Sequence, residues 1–248
     1  MFSDAHAHLR GDIDRTIQRS KEEGVTIILT AGINLQTSIE AVEAAKAYDI
    51  VYASVGIHPW HADEFNEDAY RRLRNLARGG EVVAISEIGL DFFGRMGPDR
   101  SFRPGDFHPR PVQMEAFRRQ IGLAKEVGKP IVFHVREAGA EVVRVLMEED
   151  APGVGGAVHG FSGDWGLAEE FIEMGFYISI GRRGLTSGNL ALRDVIKRVP
   201  MDRLLIETDS SEPYNVKEVV ERVAGIKGKA FEEVGGVTTS NLRRLLRI

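Results

Sequence analysis

Hydrophobic and polar positions alternate between two patterns from one end of the chain to the other. Short runs rich in Val, Ile and Ala are typical of buried strands. Each is followed by a longer stretch in which apolar residues recur every three or four positions, as on one face of a helix. Strands are predicted at residues 1–5, 26–30, 51–57, 82–86, 131–133, 157–158, 176–180 and 204–206.

Helical patterns fill the intervals between these strands. Several of them stop at glycine or before proline, as at Gly24, Gly128 and Pro200, which are ordinary signals for the end of a helix. Thr239 or Ser240 is the expected cap of the last helix. The predicted helices cover residues 13–23, 37–48, 67–78, 111–127, 140–149, 167–174, 190–198, 217–224 and 239–246.

Eight strand–helix units in 248 residues predict an α/β fold, a (β/α)8 barrel of the TIM type, with some closing units irregular and extra helices at the C-terminus. No linker or low-complexity segment divides the chain, so residues 1–248 are expected to form a single domain. An open doubly wound sheet is the alternative. The Gly-rich phosphate turn of that fold is missing after the first strand, where the sequence is His6-Ala7-His8.

Composition narrows the possible functions. The chain has no cysteine, which excludes disulfides and thiolate metal sites and leaves His, Asp and Glu as ligands for any metal. A net charge of −5 argues against a broad basic surface that binds nucleic acid. A nuclease that contacts only a few phosphates does not need such a surface. There is no long apolar segment or signal peptide, so a cytoplasmic location without membrane contact is expected.

Seven side chains that could carry chemistry end or directly follow predicted strands. In a barrel the carboxyl ends of all strands meet at one face, where active sites are assembled. Histidines that serve only in the core or on the surface, the alternative for any single one, would be scattered along strands and helices. The group consists of His6, His8, His58, Glu87, His134, His159 and Asp209.

All of these side chains except His58 are candidate metal ligands. Six ligands are more than the three that one catalytic metal usually takes from a protein. They fit a pair of divalent ions with one bridging carboxylate, for which Glu87 on a middle strand is the candidate. Strands one and eight are neighbours in a closed barrel, which brings Asp209 beside the first two histidines. The expected division is His6, His8 and Asp209 on one ion, and His134 and His159 on the other.

The same residues suggest catalytic roles. Water bound to such ions becomes nucleophilic near neutral pH, and Asp209 could accept its proton. His58 could donate to a substrate oxygen, or could be a structural histidine in the turn before a proline. Arg10 and Arg136 could hold phosphate at the barrel face, or pair with solvent and other side chains. The long segment 91–110, rich in Arg and Phe, could add further contacts.

These motifs resemble the TatD-type metal-dependent deoxyribonucleases, a family within the amidohydrolase-like barrels, over nearly the whole chain. The resemblance implies that the six residues other than His58 are metal ligands and that His58 faces the substrate phosphate. It also implies two divalent ions such as Mg²⁺, Mn²⁺ or Zn²⁺, and cleavage of DNA phosphodiesters, often from a 3′ end. The motifs are SDAHAHL (3–9), GIHPWHA (56–62), SEIGLDF (86–92), KPIVFHVREA (129–138), HGFSG (159–163), GFYIS (175–179) and LIETDS (205–210).

The sequence departs from the family pattern at two places. Members usually have a proline and then a long, partly basic segment after the Asp-Ser of the last strand. Here Ser210 is followed almost directly by Glu212 and Pro213, so this segment is short. Gly160 stands where the family has a cysteine, which leaves the predicted ligands intact.

Three functions are compatible with these residues. The first is hydrolysis of DNA, with DNA as the substrate and no obligate protein partner evident. The second is hydrolysis of a small amide, lactone or ester by the same metal pair. Many such enzymes bridge their ions with a modified lysine late in a strand, whereas Lys129 precedes its strand and Glu87 takes the bridging place, which favours the nuclease. The third is a metal-binding module without activity, against which the complete ligand set argues.

Overall fold

The computed structural model describes residues 1–93, 108–186 and 188–248, so the arginines and phenylalanines that the sequence places at 95–107 lie outside the described residues. In the described ranges, parallel strands alternate with helices. The strands are β1 Phe2–Ala7, β2 Val25–Ala31, β3 Val51–Val55, β4 Val82–Asp91, β5 Ile131–Arg136, β6 Gly156–Val158, β7 Tyr177–Gly181 and β8 Leu204–Glu207. The helices are α1 Ile13–Glu22, α2 Leu35–Ala47, α3 Glu67–Ala77, α4 Arg110–Val127, α5 Gly139–Glu148, α6 Trp165–Glu173, α7 Arg182–Thr186, α8 Leu190–Arg198, α9 Val216–Lys227 and α10 Phe231–Leu246.

The strands form one parallel sheet in which each strand pairs with the next along the chain. Two backbone hydrogen bonds close this sheet just beyond β8. The N–H of Asp209 donates to the carbonyl of His6 at 3.0 Å, and the N–H of His8 donates to the carbonyl of Ser210 at 2.9 Å. The predicted (β/α)8 TIM barrel is therefore confirmed.

Alternation of side chains along the strands divides the core into two layers. Ile27 and Leu29 of β2 belong to the cluster that fills the barrel, whereas Ile28 packs in the layer between sheet and helices. Leu242 and Leu245 of α10 join the inner cluster. Helix α10 thus covers the amino-terminal end of the barrel and leaves the opposite end for the candidate site.

Helix α10 begins at Phe231, eight residues before the predicted start at 239, so the predicted cap at Thr239 or Ser240 is wrong. Ser240 instead donates its hydroxyl to a carbonyl inside the helix, and Thr239 is buried. The pair of glycines at 235–236 weakens the local helical signal. The helix nevertheless passes through Gly235, where it packs closely against Phe2. A Cβ on Gly235 would lie 2.6 Å from the ring of Phe2, so only glycine fits at this contact.

Strand β4 continues to Asp91, past the predicted end at residue 86, so Glu87 lies within the strand rather than after it. The pairing of β4 with β5 shifts register between Ser86 and Ile88. An extra residue in one strand of a pair bends the strand and re-aims a side chain. This irregularity directs Glu87 into the carboxyl end of the barrel, which the alternation of the sequence does not show.

No helix in the described part of the chain is both long and apolar enough to cross a membrane. The short helix α7, which directly follows β7, is absent from the sequence-based prediction. Its five residues are fewer than a periodic pattern needs to be recognised.

Candidate metal centre

The structure brings all seven predicted side chains together around the buried carboxylate of Glu87. Its Oε1 atom lies 2.6 Å from Nε2 of His6 and 3.1 Å from Nε2 of His8. Its Oε2 atom lies 3.5 Å from Nε2 of His58 and 3.4 Å from Nε2 of His159. One carboxylate therefore faces two sets of imidazoles, one set at each oxygen.

Asp209 and His134 complete the group from opposite sides. Oδ1 of Asp209 lies 3.3 Å from Nε2 of His8, and Nδ1 of His134 lies 3.1 Å from Nε2 of His159. Each of two subsets has ligand atoms within 4.8 Å of one another and could hold a metal ion. These subsets are His6, Glu87, His159 and Asp209, and His58, Glu87 and His134.

His8 and His134 are turned toward the centre by contacts on the far side of each ring. Nδ1 of His8 lies 3.1 Å from the carbonyl of Ala31, which only accepts, so the ring donates there and Nε2 is the nitrogen that faces Glu87. Nε2 of His134 lies 3.2 Å from the carboxylate of Asp91. Strand β4 approaches it closely, because a Cβ on Gly89, with φ of 140°, would lie 2.1 Å from the carbonyl oxygen of His134.

His58 is turned the other way and is suited to donate a hydrogen bond. Its Nδ1 accepts from the backbone N–H of Trp60 at 3.0 Å, so the hydrogen of the neutral ring sits on Nε2. Burial lowers the pKa of His58 well below the ordinary value, helped by the nearby charge of His134, and the ring is neutral at pH 7. Because Nε2 carries the hydrogen, the neutral ring of His58 faces the site as a hydrogen-bond donor.

Glu87 is ionised although it is fully buried. Burial alone would raise the pKa of its carboxyl group, but the imidazoles of His159 and His6 outweigh burial and hold the pKa well below its usual range. A carboxylate in such a position is a strong ligand for a cation.

The protonation of the surrounding groups follows the same electrostatics. Burial opposes the charged form of His8, but hydrogen bonds to Asp209 and Glu87 raise its pKa to about 10. Burial also opposes charge on His159, yet Glu87 and Glu207 raise its pKa well above the ordinary value. Burial would raise the pKa of Asp209, but the hydrogen bond from His8 lowers it. Without a cation, protons on these rings balance the carboxylates.

The donor set fits divalent cations. Oε2 of Glu87 is buried and has no hydrogen-bond partner among residues 1–93, 108–186 and 188–248. A buried carboxylate oxygen without a donor is unfavourable, and a cation would satisfy it. Imidazole and carboxylate ligands suit Zn²⁺ and Mn²⁺, and carboxylates suit Mg²⁺.

Three buried carboxylates beside the centre were not predicted. Asp4 accepts the N–H groups of His6 and Thr208 at 3.1 and 3.0 Å, and the hydroxyl of Thr208 at 2.5 Å. The other two are Asp91 and Glu207. Asp4 stands two residues before His6 in β1, and Glu207, the last residue of β8, stands two residues before Asp209. This spacing from a predicted ligand was a signal available in the sequence.

The two predicted substrate-binding arginines lie at the same end of the barrel but outside the group around Glu87. Arg10 is exposed after β1. Arg136, the last residue of β5, is half-buried, and its guanidinium lies 3.9 Å from the ring centre of Phe93. Such stacking fixes the plane of the guanidinium while leaving its N–H groups available.

Comparison with known proteins decides the family. The family model described as TatD related DNase matches residues 3–247 of this chain. The chain belongs to the TatD family. It is 38% identical to the uncharacterized metal-dependent hydrolase YabD of Bacillus subtilis, with 100% of each chain covered. Membership of the TatD family makes it a metal-dependent hydrolase.

Other TatD relatives agree in length and in fold. The 3′-5′ ssDNA/RNA exonuclease TatD of Edwardsiella piscicida is 30% identical, with 96% of this chain and 94% of the relative covered. The crystal structure of YJJV, a TatD homologue from Escherichia coli k12, superposes with a TM-score of 0.87 at 26% identity. That comparison covers 100% of this chain and 98% of the other.

Proposed function

We propose that this TatD-family hydrolase cleaves phosphodiester bonds in nucleic acid, with DNA as its substrate and two divalent ions in the centre around Glu87. The observation that carries the proposal is the buried Glu87 carboxylate, whose two oxygens face different imidazoles at 2.6–3.5 Å. The Edwardsiella piscicida relative named as a 3′-5′ ssDNA/RNA exonuclease supports a nucleic acid as the substrate.

In this proposal the bridging ligand is Glu87, and the ions are Mg²⁺, Mn²⁺ or Zn²⁺. When bound, they supply Lewis acidity for a phosphoryl oxygen and lower the pKa of water. The side chains beside Oε1 would hold one ion, and the two imidazoles in contact with each other would hold the second. The proposed ligands are His6, His8 and Asp209 for the first ion, and His134 and His159 for the second.

Two residues of this chain would handle protons. Asp209 has a lowered pKa and a side chain that is 25% exposed, so an ionised oxygen can reach the substrate side and accept a proton from the nucleophile. His58 presents Nε2–H, which can donate to a phosphate oxygen or to the leaving oxygen. The lowered pKa of His58 keeps this ring neutral, so its contribution is a hydrogen bond rather than a charge.

The arginines would bind flanking phosphates. The guanidinium of Arg136 is held on Phe93, and fork-shaped N–H groups match phosphate oxygens. Arg10 is exposed at the same rim and would add an electrostatic contact. A cytoplasmic location, which is expected from the sequence, is part of this proposal, and nucleic acid is present there.

A panel of substrates tests the function. The purified protein would be assayed with Mg²⁺, Mn²⁺ or Zn²⁺ on single-stranded DNA, duplex DNA, RNA, a generic phosphodiester, lactones and amides. We expect metal-dependent release of nucleotides from single-stranded DNA, and a 3′-blocked oligonucleotide would slow it if cleavage starts at the 3′ end. Cleavage of lactone or amide alone would overturn the nuclease, and a lack of metal dependence would overturn the metal centre.

A further inference from the structure

Two buried carboxylates lie behind the pair of imidazoles that are proposed to share the second ion. Oδ2 of Asp91 lies 3.2 Å from Nε2 of His134. Oε1 of Glu207 lies 3.6 Å from Nδ1 of His159. The opposite nitrogens of the two rings, Nδ1 of His134 and Nε2 of His159, lie 3.1 Å apart. Each ring therefore has one nitrogen toward a carboxylate and the other toward its neighbour.

This arrangement determines which nitrogen of each ring can bind a cation. A carboxylate only accepts hydrogen bonds, so Nε2 of His134, at hydrogen-bond distance from Asp91, carries the hydrogen. The contact of Glu207 with Nδ1 of His159, at 3.6 Å, is longer than a hydrogen bond, and there the negative charge of Glu207 favours the hydrogen on Nδ1. The other nitrogen of each ring then offers a lone pair, and the two lone pairs point to one place between the rings. We propose that Asp91 and Glu207 are positioning residues that fix His134 and His159 in these tautomers and thereby set the affinity of the second ion position. The proposal rests on the two-ion centre proposed above.

Asp91 is held firmly enough to serve this role. Its Oδ2 also accepts the indole N–H of Trp60 at 2.9 Å, and its Oδ1 accepts the backbone N–H of Phe93 at 3.0 Å. Gln113 of α4 fixes the backbone of the same residue through its amide, which accepts from the N–H at 2.9 Å and donates to the carbonyl at 3.0 Å. The carboxylate is therefore fixed against His134 by contacts from several directions.

Glu207 is held in the same manner inside the barrel. The N–H of Gly160 donates to Oε1 at 2.6 Å, and the hydroxyl of Ser179 donates to Oε2. A Cβ on Gly181 would lie 3.2 Å from Oε1, so a glycine there leaves room for the carboxylate. The side chain is fully buried and faces the ring of His159.

The first ion position provides an internal comparison. There Nδ1 of His8 donates to the backbone carbonyl of Ala31 at 3.1 Å. A neutral carbonyl orients the ring without adding negative charge. Removing the charge of Asp91 or Glu207 should therefore weaken one ion and spare the other.

The variants Asp91→Asn and Glu207→Gln test this role with little change of shape. In the second variant, the amide oxygen can take the place of Oε1 toward Gly160 and His159, and the amide N–H₂ can donate to the hydroxyl of Ser179, so the change removes only the negative charge. Metal-stripped protein would be titrated with Zn²⁺ or Mn²⁺ by calorimetry. We expect two binding steps for the wild type, and in each variant a loss of about 10–100-fold in affinity at one step.

A spectroscopic measurement separates orientation from general loss of structure. In zinc-loaded protein, long-range ¹H–¹⁵N correlations of the imidazoles should show hydrogen on Nε2 of His134 and on Nδ1 of His159. Asp194→Asn, the same kind of change at an exposed carboxylate of α8 that contacts Arg198 and no imidazole, is the matched control, and both affinities should stay within about threefold.

The outcomes are distinguishable. If the wild type binds two ions and both variants keep both affinities, or if the hydrogens are found on the inner nitrogens, the positioning role is wrong. If the wild type binds fewer than two ions, the two-ion centre itself is wrong.

Discussion

At the scale of single residues, the centre is organised by one ionised carboxylate among imidazoles. Glu87 lies within 2.6–3.5 Å of four ring nitrogens, and no other buried acidic group among residues 1–93, 108–186 and 188–248 has four such contacts. The imidazoles of His159 and His6 hold its pKa low, and Glu87 in turn helps to raise the pKa of His159. Activity and metal binding should therefore both depend on this charge.

Glu87→Gln should lower metal-dependent turnover by about 100-fold or more, because an amide offers one acceptor oxygen and turns N–H groups toward the rings. The circular dichroism spectrum should be unchanged. Glu81→Gln, one residue before the same strand begins and at the opposite end of the barrel from Glu87, is the matched control and should retain turnover. Undiminished turnover in Glu87→Gln would remove the basis for a bridging carboxylate.

Metal binding should release protons at pH 7. Without a cation, the pKa of His8 is about 10 and that of His159 is well above its ordinary value, so both rings are protonated and must lose a proton to bind an ion. Apparent affinity should therefore rise with pH, about tenfold per pH unit for each proton released. Calorimetry in buffers with different ionisation enthalpies counts these protons, and a heat independent of the buffer would contradict the prediction.

At the scale of secondary-structure elements, the decisive junction is where β8 meets β1. The N–H of Asp209 bonds the carbonyl of His6, and Asp209 has φ of 50°, a left-handed conformation that single non-glycine residues adopt only when their surroundings require it. Asp4 joins the same two strands through Thr208. The contacts that close the barrel therefore also position the candidate metal ligands His6 and Asp209.

Asp4 should make stability depend on pH. Burial raises its pKa from 3.8 to about 8, although the hydrogen bonds from Thr208 oppose the rise, so between pH 4 and 8 the folded state binds more protons than the unfolded state. Stability therefore falls as pH rises through this window. In the presence of a chelator, the free energy of unfolding should fall between pH 5 and 8 by at least about 1 kcal/mol less in Asp4→Asn than in the wild type. Urea denaturation at several pH values measures this difference. Asp194→Asn, an exposed change, should keep the wild-type slope, and parallel slopes for Asp4→Asn and wild type would contradict the assignment.

At the scale of the whole molecule, the packing of helix α10 and the candidate metal centre lie at opposite ends of the barrel. Helix α10 covers the amino-terminal end with Leu242, Leu245 and Leu246, while the centre lies at the carboxyl end. Asn241 fixes this helix by donating to the carbonyls of Met201 and Leu204. A destabilising substitution in α10 should therefore affect the candidate metal centre only by unfolding the whole protein.

Leu242→Ala should lower the free energy of unfolding by about 2–4 kcal/mol, because it removes a fully buried side chain from the inner core. Below the melting temperature, kcat/KM should stay within about twofold of wild type. Met147→Ala, at a position 60% exposed, is the surface control. A large loss of kcat/KM in folded Leu242→Ala would show that the two ends are coupled.

Much of the fold could be predicted because its signals are local. Each strand is a short buried run and most helices have regular periodicity, so the order of elements and the barrel follow from neighbouring residues. The start of α10 could not be read in this way, because Gly235 weakens the helical signal, and its close packing against Phe2, which is distant in sequence, leaves no room for a side chain. Likewise, the bulge at Glu87 arises from pairing between β4 and β5.

The sequence by itself determined the class of fold and which seven side chains gather at one end, since parallel strands that carry chemistry at their carboxyl ends bring it to one face. Tertiary structure alone decided how those side chains are oriented. The backbone N–H of Trp60 makes His58 a donor, and Asp91 turns His134 toward the centre. Such contacts join residues from different strands, and their distances are fixed only when the barrel has closed.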